Sequence, residues 1–133
     1  MTYLTISAQI VTMLNTISDF NAVYDSEKKE LEKYPCATVA ALSHENEFAD
    51  THHNIRRFNF NVRVYYRTAD IDLSEGIMQG VVDNVIATIE ADPTINGSCD
   101  FAVPTSSRWG WAEREVPVRY CEITISAQVR LLR

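Results

Sequence analysis

The sequence predicts an α+β fold in which an antiparallel β-sheet carries two α-helices packed on one face. Apolar residues recur at helical spacing in two segments and alternate with polar residues, as in strands, in two others. The elements follow the order helix, strands, helix, strands, which is typical of helices gathered on one side of an antiparallel sheet. At 133 residues, the chain is expected to form a single domain, 1–133.

The first helix is predicted from about Tyr3 to Phe20. Its apolar stripe consists of Ile6, Ile10, Met13, Leu14 and Ile17. The charged stretch DSEKKELEKYP follows and is predicted to be a solvated helical turn or a loop that ends at Pro35. The small residues of CATVAALS, 36–43, then predict a strand that a helix can approach closely.

The polar segment HENEFADTHHNIRR, residues 44–57, is predicted to be a long hairpin loop or the projecting tip of two extended strands. It holds the histidines of the chain together with several carboxylates, and only this group could serve a metal site or acid–base chemistry. The residues are His44, His52, His53, Glu45, Glu47 and Asp50. Because adjacent histidines on a strand point to opposite faces, a solvated segment is favoured.

RFNFNVRVYYR, residues 57–67, predicts a strand with two contrasting faces, because side chains alternate across a strand. The apolar face comprises Phe58, Phe60, Val62, Val64 and Tyr66. The other face comprises Asn59, Asn61, Arg63, Tyr65 and Arg67. Arg and Tyr are enriched at protein interfaces, whereas Lys and Glu are depleted. This polar face is therefore predicted either to meet a neighbouring subunit or to be a water-exposed sheet surface.

A second helix is predicted from Asp72, which with Glu75 matches a capping box, to just before Pro93. Its apolar stripe consists of Ile77, Met78, Val81, Val82, Val85, Ile86 and Ile89. A short strand, a turn region and a long closing strand should follow. One face of that strand starts at Arg119 and is apolar from there on, with Cys121, Ile123, Ile125, Ala127, Val129 and Leu131. Both stripes and both apolar strand faces are predicted to form one core.

The tryptophans of SSRWGWAER lie in the predicted turn region. Trp109 and Trp111 flank Gly110 and would share a face if the chain is extended. They are predicted either to cap the core at the end of the sheet or to anchor an interface, for which Trp beside Arg is a common combination. Stacking on nucleic-acid bases is a third interpretation.

Composition and motifs exclude several classes of protein. Apolar residues make up 46% and charged residues 23%, which favours a soluble globular protein over a disordered or membrane one. No transmembrane run or signal peptide is expected, so the protein should stay in the cytosol where it is made. The formal charge of -6 disfavours a protein that binds nucleic acid by neutralising phosphates.

The lack of common catalytic and cofactor-binding motifs also favours a protein without catalysis. The sequence contains no GxGxxG, GxxxxGK[ST], HExxH or GxSxG motif, so no catalytic residue, metal or cofactor is predicted. The cysteines, Cys36, Cys99 and Cys121, are an odd set without CxxC spacing. They are predicted to be free thiols, since Cys is among the residues most often buried.

The run YPCATVAALSHENEFADTHHNIRRFNFNVRVYYR resembles the central strands of the tail terminator (tail completion) proteins of long-tailed bacteriophages. That family shows a Tyr-Pro before a small-residue strand, an acidic and aromatic loop with an Asp-Thr step, and an Asn/Arg segment leading into Phe-x-Phe-x-Val. The matching residues are Tyr34, Pro35, Glu47, Phe48, Asp50, Thr51, Asn54, Arg57, Phe58, Phe60 and Val62. The order of elements also matches along nearly the whole chain, whereas the WGW segment has no counterpart in the family pattern.

The resemblance implies a structural virion protein of the tail or neck, assembled in the host cytoplasm, that forms a homomeric ring, expected to be hexameric, on the tail tube. Its expected partners are other copies of itself, the tail tube protein and a head or neck connector protein, while genomic DNA passes through without specific binding. The predicted contact residues are Glu47, Phe48, Asp50, Asn54, Arg56, Arg57, Arg63, Tyr65, Arg67, Trp109 and Trp111. A neck or head-to-tail connector is the main alternative, and a small α+β enzyme or ligand-binding domain is a weaker one.

Overall fold

The computed structural model describes residues 2–26, 33–67, 71–112 and 117–132, and it confirms an α+β fold with two helices and a five-stranded sheet. The helices are α1 (Tyr3–Leu14) and α2 (Ile71–Ala91). The strands are β1 (Ala22–Tyr24), β2 (Cys36–Phe48), β3 (His53–Tyr66), β4 (Phe101–Ala112) and β5 (Val118–Leu132). The strand order is β1-β2-β3-β5-β4, with β1 parallel to β2 and every other pair antiparallel.

Helix α1 begins with a capping box and ends earlier than the sequence predicts. The Thr2 hydroxyl accepts a hydrogen bond from the Thr5 backbone N–H at 3.3 Å, and the Thr5 hydroxyl accepts one from the Thr2 N–H at 2.8 Å. The helix ends at Leu14, where the Thr16 hydroxyl donates to the Met13 carbonyl oxygen at 2.6 Å. Residues 15–19 form turns, yet Ile17 is still buried with the stripe.

One hydrophobic core contains the apolar stripes of both helices and the apolar faces of β3 and β5. Its largest fully buried side chains include Phe60, Ile89 and Ile125. Ile86 packs against this core but is only partly buried, whereas Val85 and Ile89 are fully buried. Helix α2 is described from Ile71, and the predicted capping side chain of Asp72 lies outside the described residues.

The predicted turn around the tryptophans is wrong, because β4 is one long strand from Phe101 to Ala112. It pairs with β5 throughout, with a register shift between Pro104 and Ser106. Edge strands tolerate proline, and a strand glycine often marks a close approach of another group. Here the Tyr120 ring lies over Gly110, where an added Cβ would be 2.5 Å from the phenol oxygen.

The segment 44–57 takes the second of its two predicted forms, the tip of two extended strands. Strand β2 continues to Phe48 and β3 starts at His53, so only residues 49–52 form the turn. The two strands pair as far as Phe48 and Asn54. The tip is also supported from its other side, because β5 pairs with β3 up to His53 and Leu132.

The segment between α1 and β2 contains a strand that the sequence analysis missed. Strand β1, Ala22–Tyr24, pairs in parallel with the start of β2. Three residues are too few to establish a period-two pattern, which explains the omission. Most of the charged stretch predicted as a helical turn or loop, residues 27–32, lies outside the described residues.

Candidate assembly surface

The tip of the β2–β3 hairpin gathers more than half of the predicted contact residues. Strand β2 is buried over its first four residues and exposed over its last eight. Side-chain hydrogen bonds join the strands there: Arg56 Nε donates to Asn46 Oδ1 at 2.7 Å, and Arg57 Nη1 donates to Glu47 Oε2 at 2.5 Å. Glu47, Phe48, Asp50, Asn54, Arg56 and Arg57 all lie on this tip. The tip is therefore an ordered and exposed extension of the sheet.

Asp50 fixes the turn at the end of the hairpin. Its Oδ1 accepts hydrogen bonds from the backbone N–H groups of His52 and His53, both at 2.8 Å, and lies 3.0 Å from His53 Nδ1. Its Oδ2 accepts a hydrogen bond from Arg130 Nη2 on β5 at 2.9 Å. The His52 N–H, helped by His53 and Arg130, lowers the pKa of Asp50 to about 2. The carboxylate thus connects the turn to the neighbouring strand.

The polar face of the sheet is paired within the chain. Arg63 on β3 lies opposite Glu122 on β5, with 2.6 Å between Arg63 Nη2 and Glu122 Oε1. Further along the same face, the Asn59 side-chain amide donates to the Ser43 hydroxyl at 3.0 Å. Arg63 was predicted to pair with a carboxylate of a neighbouring subunit, and the structure supplies such a partner from its own chain.

Tyr65 and Arg67 lie at the other end of this polar face. Tyr65 is only 5% exposed and belongs to a second, smaller hydrophobic cluster with Cys36 and Val118. It therefore offers little surface to a neighbouring subunit. Arg67 is exposed, and its guanidinium carbon lies 5.0 Å from the centre of the Tyr34 ring.

Trp109 and Trp111 lie on one face of β4, and Arg119 on β5 pairs with Trp111. The Arg119 guanidinium carbon is 5.0 Å from one Trp109 ring and 5.2 Å from one Trp111 ring. Arg119 Nε and Nη2 also donate to the Glu75 carboxylate of α2 at 3.0 and 3.2 Å. Trp109 packs against the core, as one of the three interpretations predicts, while Trp111 remains 44% exposed. The tryptophans thus help to hold α2 against the sheet.

Within the described residues, no group of three or more His, Cys, Asp or Glu side chains is arranged to hold a metal ion. The three cysteines are free and buried, which confirms the prediction of free thiols. Burial raises the pKa of Cys99 and of Cys121 to about 11, so both are protonated at neutral pH and poor nucleophiles. Of the candidates for an enzyme pocket, His52 and Glu47 are exposed on the hairpin tip, while His53 is partly buried and its Nδ1 lies 3.0 Å from Asp50 Oδ1.

No protein-family model matches this chain. A comparison with curated protein sequences gives no significant match either. In the described part of the chain, no helix is long and apolar enough to cross a membrane. The function is therefore argued from the contacts above and from the resemblance of the central strands.

Three residues that organise these surfaces have partners that the sequence did not predict: Glu75, Arg119 and Glu122. Each finds its partner on another element, since Arg119 reaches Glu75 on α2 and Glu122 reaches Arg63 on β3. The closing strand does show Glu122 in its polar phase. The alternation shows on which face of β5 Glu122 lies. It does not give the register between β3 and β5, which decides the partner of Glu122.

Proposed function

We propose that this protein is a structural subunit that forms a homomeric, hexameric ring on a phage tail tube. The ring ends polymerisation of the tube and offers a joining surface to the head or neck. The observation that carries the proposal is the exposed hairpin tip, which lies within the run that resembles tail terminator proteins. Such a ring needs a stiff element that reaches from one subunit to the next.

The hairpin tip suits this role because it is both ordered and accessible. A hairpin of two strands alone is marginally stable in water, but here β5 lies beside β3 along the whole tip. Within the described residues, β2 pairs with β1 only from Cys36 to Thr38, so the rest of β2 is an edge strand. Exposed edge strands are either protected or used for association. The length of this edge favours association.

The charge of the chain agrees with a channel through which DNA passes. A ring of subunits that each carry a formal charge of -6 repels phosphate and does not trap it. A neck or head-to-tail connector, the alternative, would also form a ring and would differ in the protein that it contacts. The enzyme alternative is supported less well, because two of its three candidate residues, His52 and Glu47, are exposed on the hairpin tip.

Shortening the hairpin tests the proposal. Removing residues 46–48 and 54–56 deletes three complete cross-strand pairs and keeps the register of the pairs that remain. Electron microscopy and native mass spectrometry should show rings for the parent protein and folded monomers for the shortened one. Only the parent should bind purified tail tubes. Monomers of the parent at micromolar concentration, or unchanged rings of the shortened variant, would contradict the proposal.

A further inference from the structure

Both edges of the sheet are open along most of their length. Within the described residues, β4 is the last strand on one side, and β2 on the other side is covered by β1 only from Cys36 to Thr38. All but one of the exposed large apolar side chains in this part of the chain lie on these two strands. Apolar side chains on open edge strands favour association with another strand. They are Leu42 and Phe48 on β2, and Phe101, Val103 and Trp111 on β4.

The two edge strands have the directions that a continuous sheet requires. Strand β2 runs antiparallel to β3, β3 to β5, and β5 to β4, so β2 and β4 run in opposite directions. A second copy that is rotated about an axis parallel to the strands can therefore place its β2 antiparallel beside the β4 of the first copy. The same sheet face then points towards the axis in both copies. Open antiparallel edges of this kind pair through main-chain hydrogen bonds.

Glu45 gives the β2 edge a negative charge on the polar face of the sheet. The register places Glu45 opposite Arg57, so both side chains lie on that face. The Arg57 guanidinium binds Glu47, and Glu45 itself forms no ion pair with the described residues. The Glu45 side chain is exposed and therefore accessible to a cation of another chain.

Arg108 gives the β4 edge a positive charge on the same face. It lies opposite Glu122 of β5, whose carboxylate pairs with Arg63. Arg108 is exposed and forms no ion pair within the described part of the chain. Opposite charges that face each other across an antiparallel pair stabilise it, whereas like charges destabilise it. The two edges of the sheet are therefore complementary in charge.

One antiparallel register brings together the charges and two of the exposed apolar side chains. When Glu45 lies opposite Arg108 of another copy, three steps along each strand place Leu42 opposite Trp111. Leu42 is 55% exposed, at the register shift of β2, and Trp111 is 44% exposed. Removing both side chains from water stabilises the contact. Because the two matching edges belong to one chain, the partner that fits is a second copy of this chain.

We infer that the open part of β2 in one subunit pairs with β4 of the next subunit, with Glu45 opposite Arg108, and continues the sheet. The contact joins two different edges, so it is heterologous, and its repetition closes a ring when the rotation between subunits allows it. This inference rests on the proposed ring and names the strands that join its members.

Disulfide cross-linking tests the pairing and its register. The register places Asn46 opposite Ser107, and opposed residues on neighbouring strands bring their Cβ atoms close enough for a disulfide. Oxidation of Asn46→Cys/Ser107→Cys with diamide should give denatured bands from the dimer to the full ring. The bond cannot form inside one subunit, because β3 and β5 separate β2 from β4 by roughly 14 Å. The native cysteines are buried, so each single variant should stay unlinked.

A second pair and a matched control make the register specific. Glu45→Cys/Arg108→Cys should also link, since it is the adjacent pair of the same register. Asn46→Cys/Val103→Cys is the control and should not link, because Val103 lies roughly 10 Å further along β4 than Ser107. Thermal unfolding shows that each variant is folded, and native mass spectrometry shows the rings before oxidation.

The outcomes separate this pairing from the ring itself. If neither of the two matched pairs links at concentrations where the parent forms rings, or if the control links equally, the pairing is overturned and the ring stands. Cross-linking of Asn46→Cys alone would mean that two β2 edges meet, which would also overturn the pairing. A monomeric parent protein would overturn the ring and the pairing together.

Discussion

Arg63 and Glu122 form an ion pair across the polar face of the sheet, with 2.6 Å between Nη2 and Oε1. The pair joins β3 and β5, the two strands that contribute the most residues to the core. The Arg63 side chain is 37% exposed and that of Glu122 is 20% exposed, so water screens the pair only in part. Arg63 therefore contributes to the fold as well as to any contact with a neighbouring subunit.

Charge reversal tests the contribution of this pair to the fold. Arg63→Glu should lower the free energy of unfolding by about 1 kcal/mol, because it replaces a partly exposed ion pair by two like charges on opposite strands. The double variant Arg63→Glu/Glu122→Arg should recover most of the loss. Urea unfolding measures both, and a single variant as stable as the parent would argue against the pair.

The same double variant separates the fold from assembly. Arg63 is one of the predicted contact residues, and restoring the intrachain pair removes the effect of its reversal on the fold. We expect the double variant to be folded and to assemble at a higher concentration than the parent. Assembly at the parent concentration would restrict Arg63 to a role inside the subunit.

Two isoleucines of α2 test the position of the core. Ile89 is fully buried, whereas Ile86 is partly exposed at the edge of the core. Ile89→Ala should lower the free energy of unfolding by about 2–5 kcal/mol. Ile86→Ala should cost clearly less, and it is a matched control because the change in helix propensity is the same. Equal losses in urea unfolding would show that α2 is rotated relative to the structure.

The Arg119 contacts predict a specific effect of a conservative change. Arg119→Lys keeps the charge but loses the planar group that donates twice to Glu75 and lies about 5 Å from both tryptophan rings. The urea midpoint should fall, and tryptophan fluorescence should shift to longer wavelength as Trp111 becomes more solvated. Arg108→Lys, at an exposed position of β4, is the control and should change neither quantity.

The low pKa of Asp50 predicts that the hairpin tip loses stability in acid. Its pKa is lowered from 3.8 to about 2, chiefly by the His52 backbone N–H, so its contribution to stability is present above about pH 4. That contribution is lost as the pH falls from 4 towards 2. NMR titration of the Asp50 carboxyl carbon measures the pKa directly. In Asp50→Asn, this part of the acid destabilisation should be absent, and a carboxyl that titrates near 3.8 would refute the hydrogen bonds.

The repeating parts of the fold could be predicted from the sequence. Both helical stripes, apart from the partly buried Ile77 and Ile86, and the alternation from Phe58 to Val64 are buried as predicted, because burial of a regular element imposes its own period on the sequence. For the hairpin tip, the sequence did not decide between a long loop and two extended strands, since a strand exposed on both faces has the composition of a loop. Strand β4 was mistaken for a turn because Pro104 and Gly110 are typical turn residues.

The candidate site could be predicted only in part. Sequence analysis placed the hairpin residues together, because they are neighbours in the chain. It could not pair Arg63 with Glu122 or Arg119 with Glu75, since those contacts depend on the register of distant strands and on the position of α2. Tyr65 looked like a surface residue by its phase, and its burial follows from the second cluster around Cys36 and Val118.

The proposed function is tested most directly by deleting the gene from its proposed parent phage and examining the particles by electron microscopy. The proposed function predicts tails of uncontrolled length, or tails of normal length that fail to join heads. Supplying the intact protein should restore normal particles, and the variant with the shortened hairpin should not. Normal infectious particles that lack the protein would contradict the proposed function.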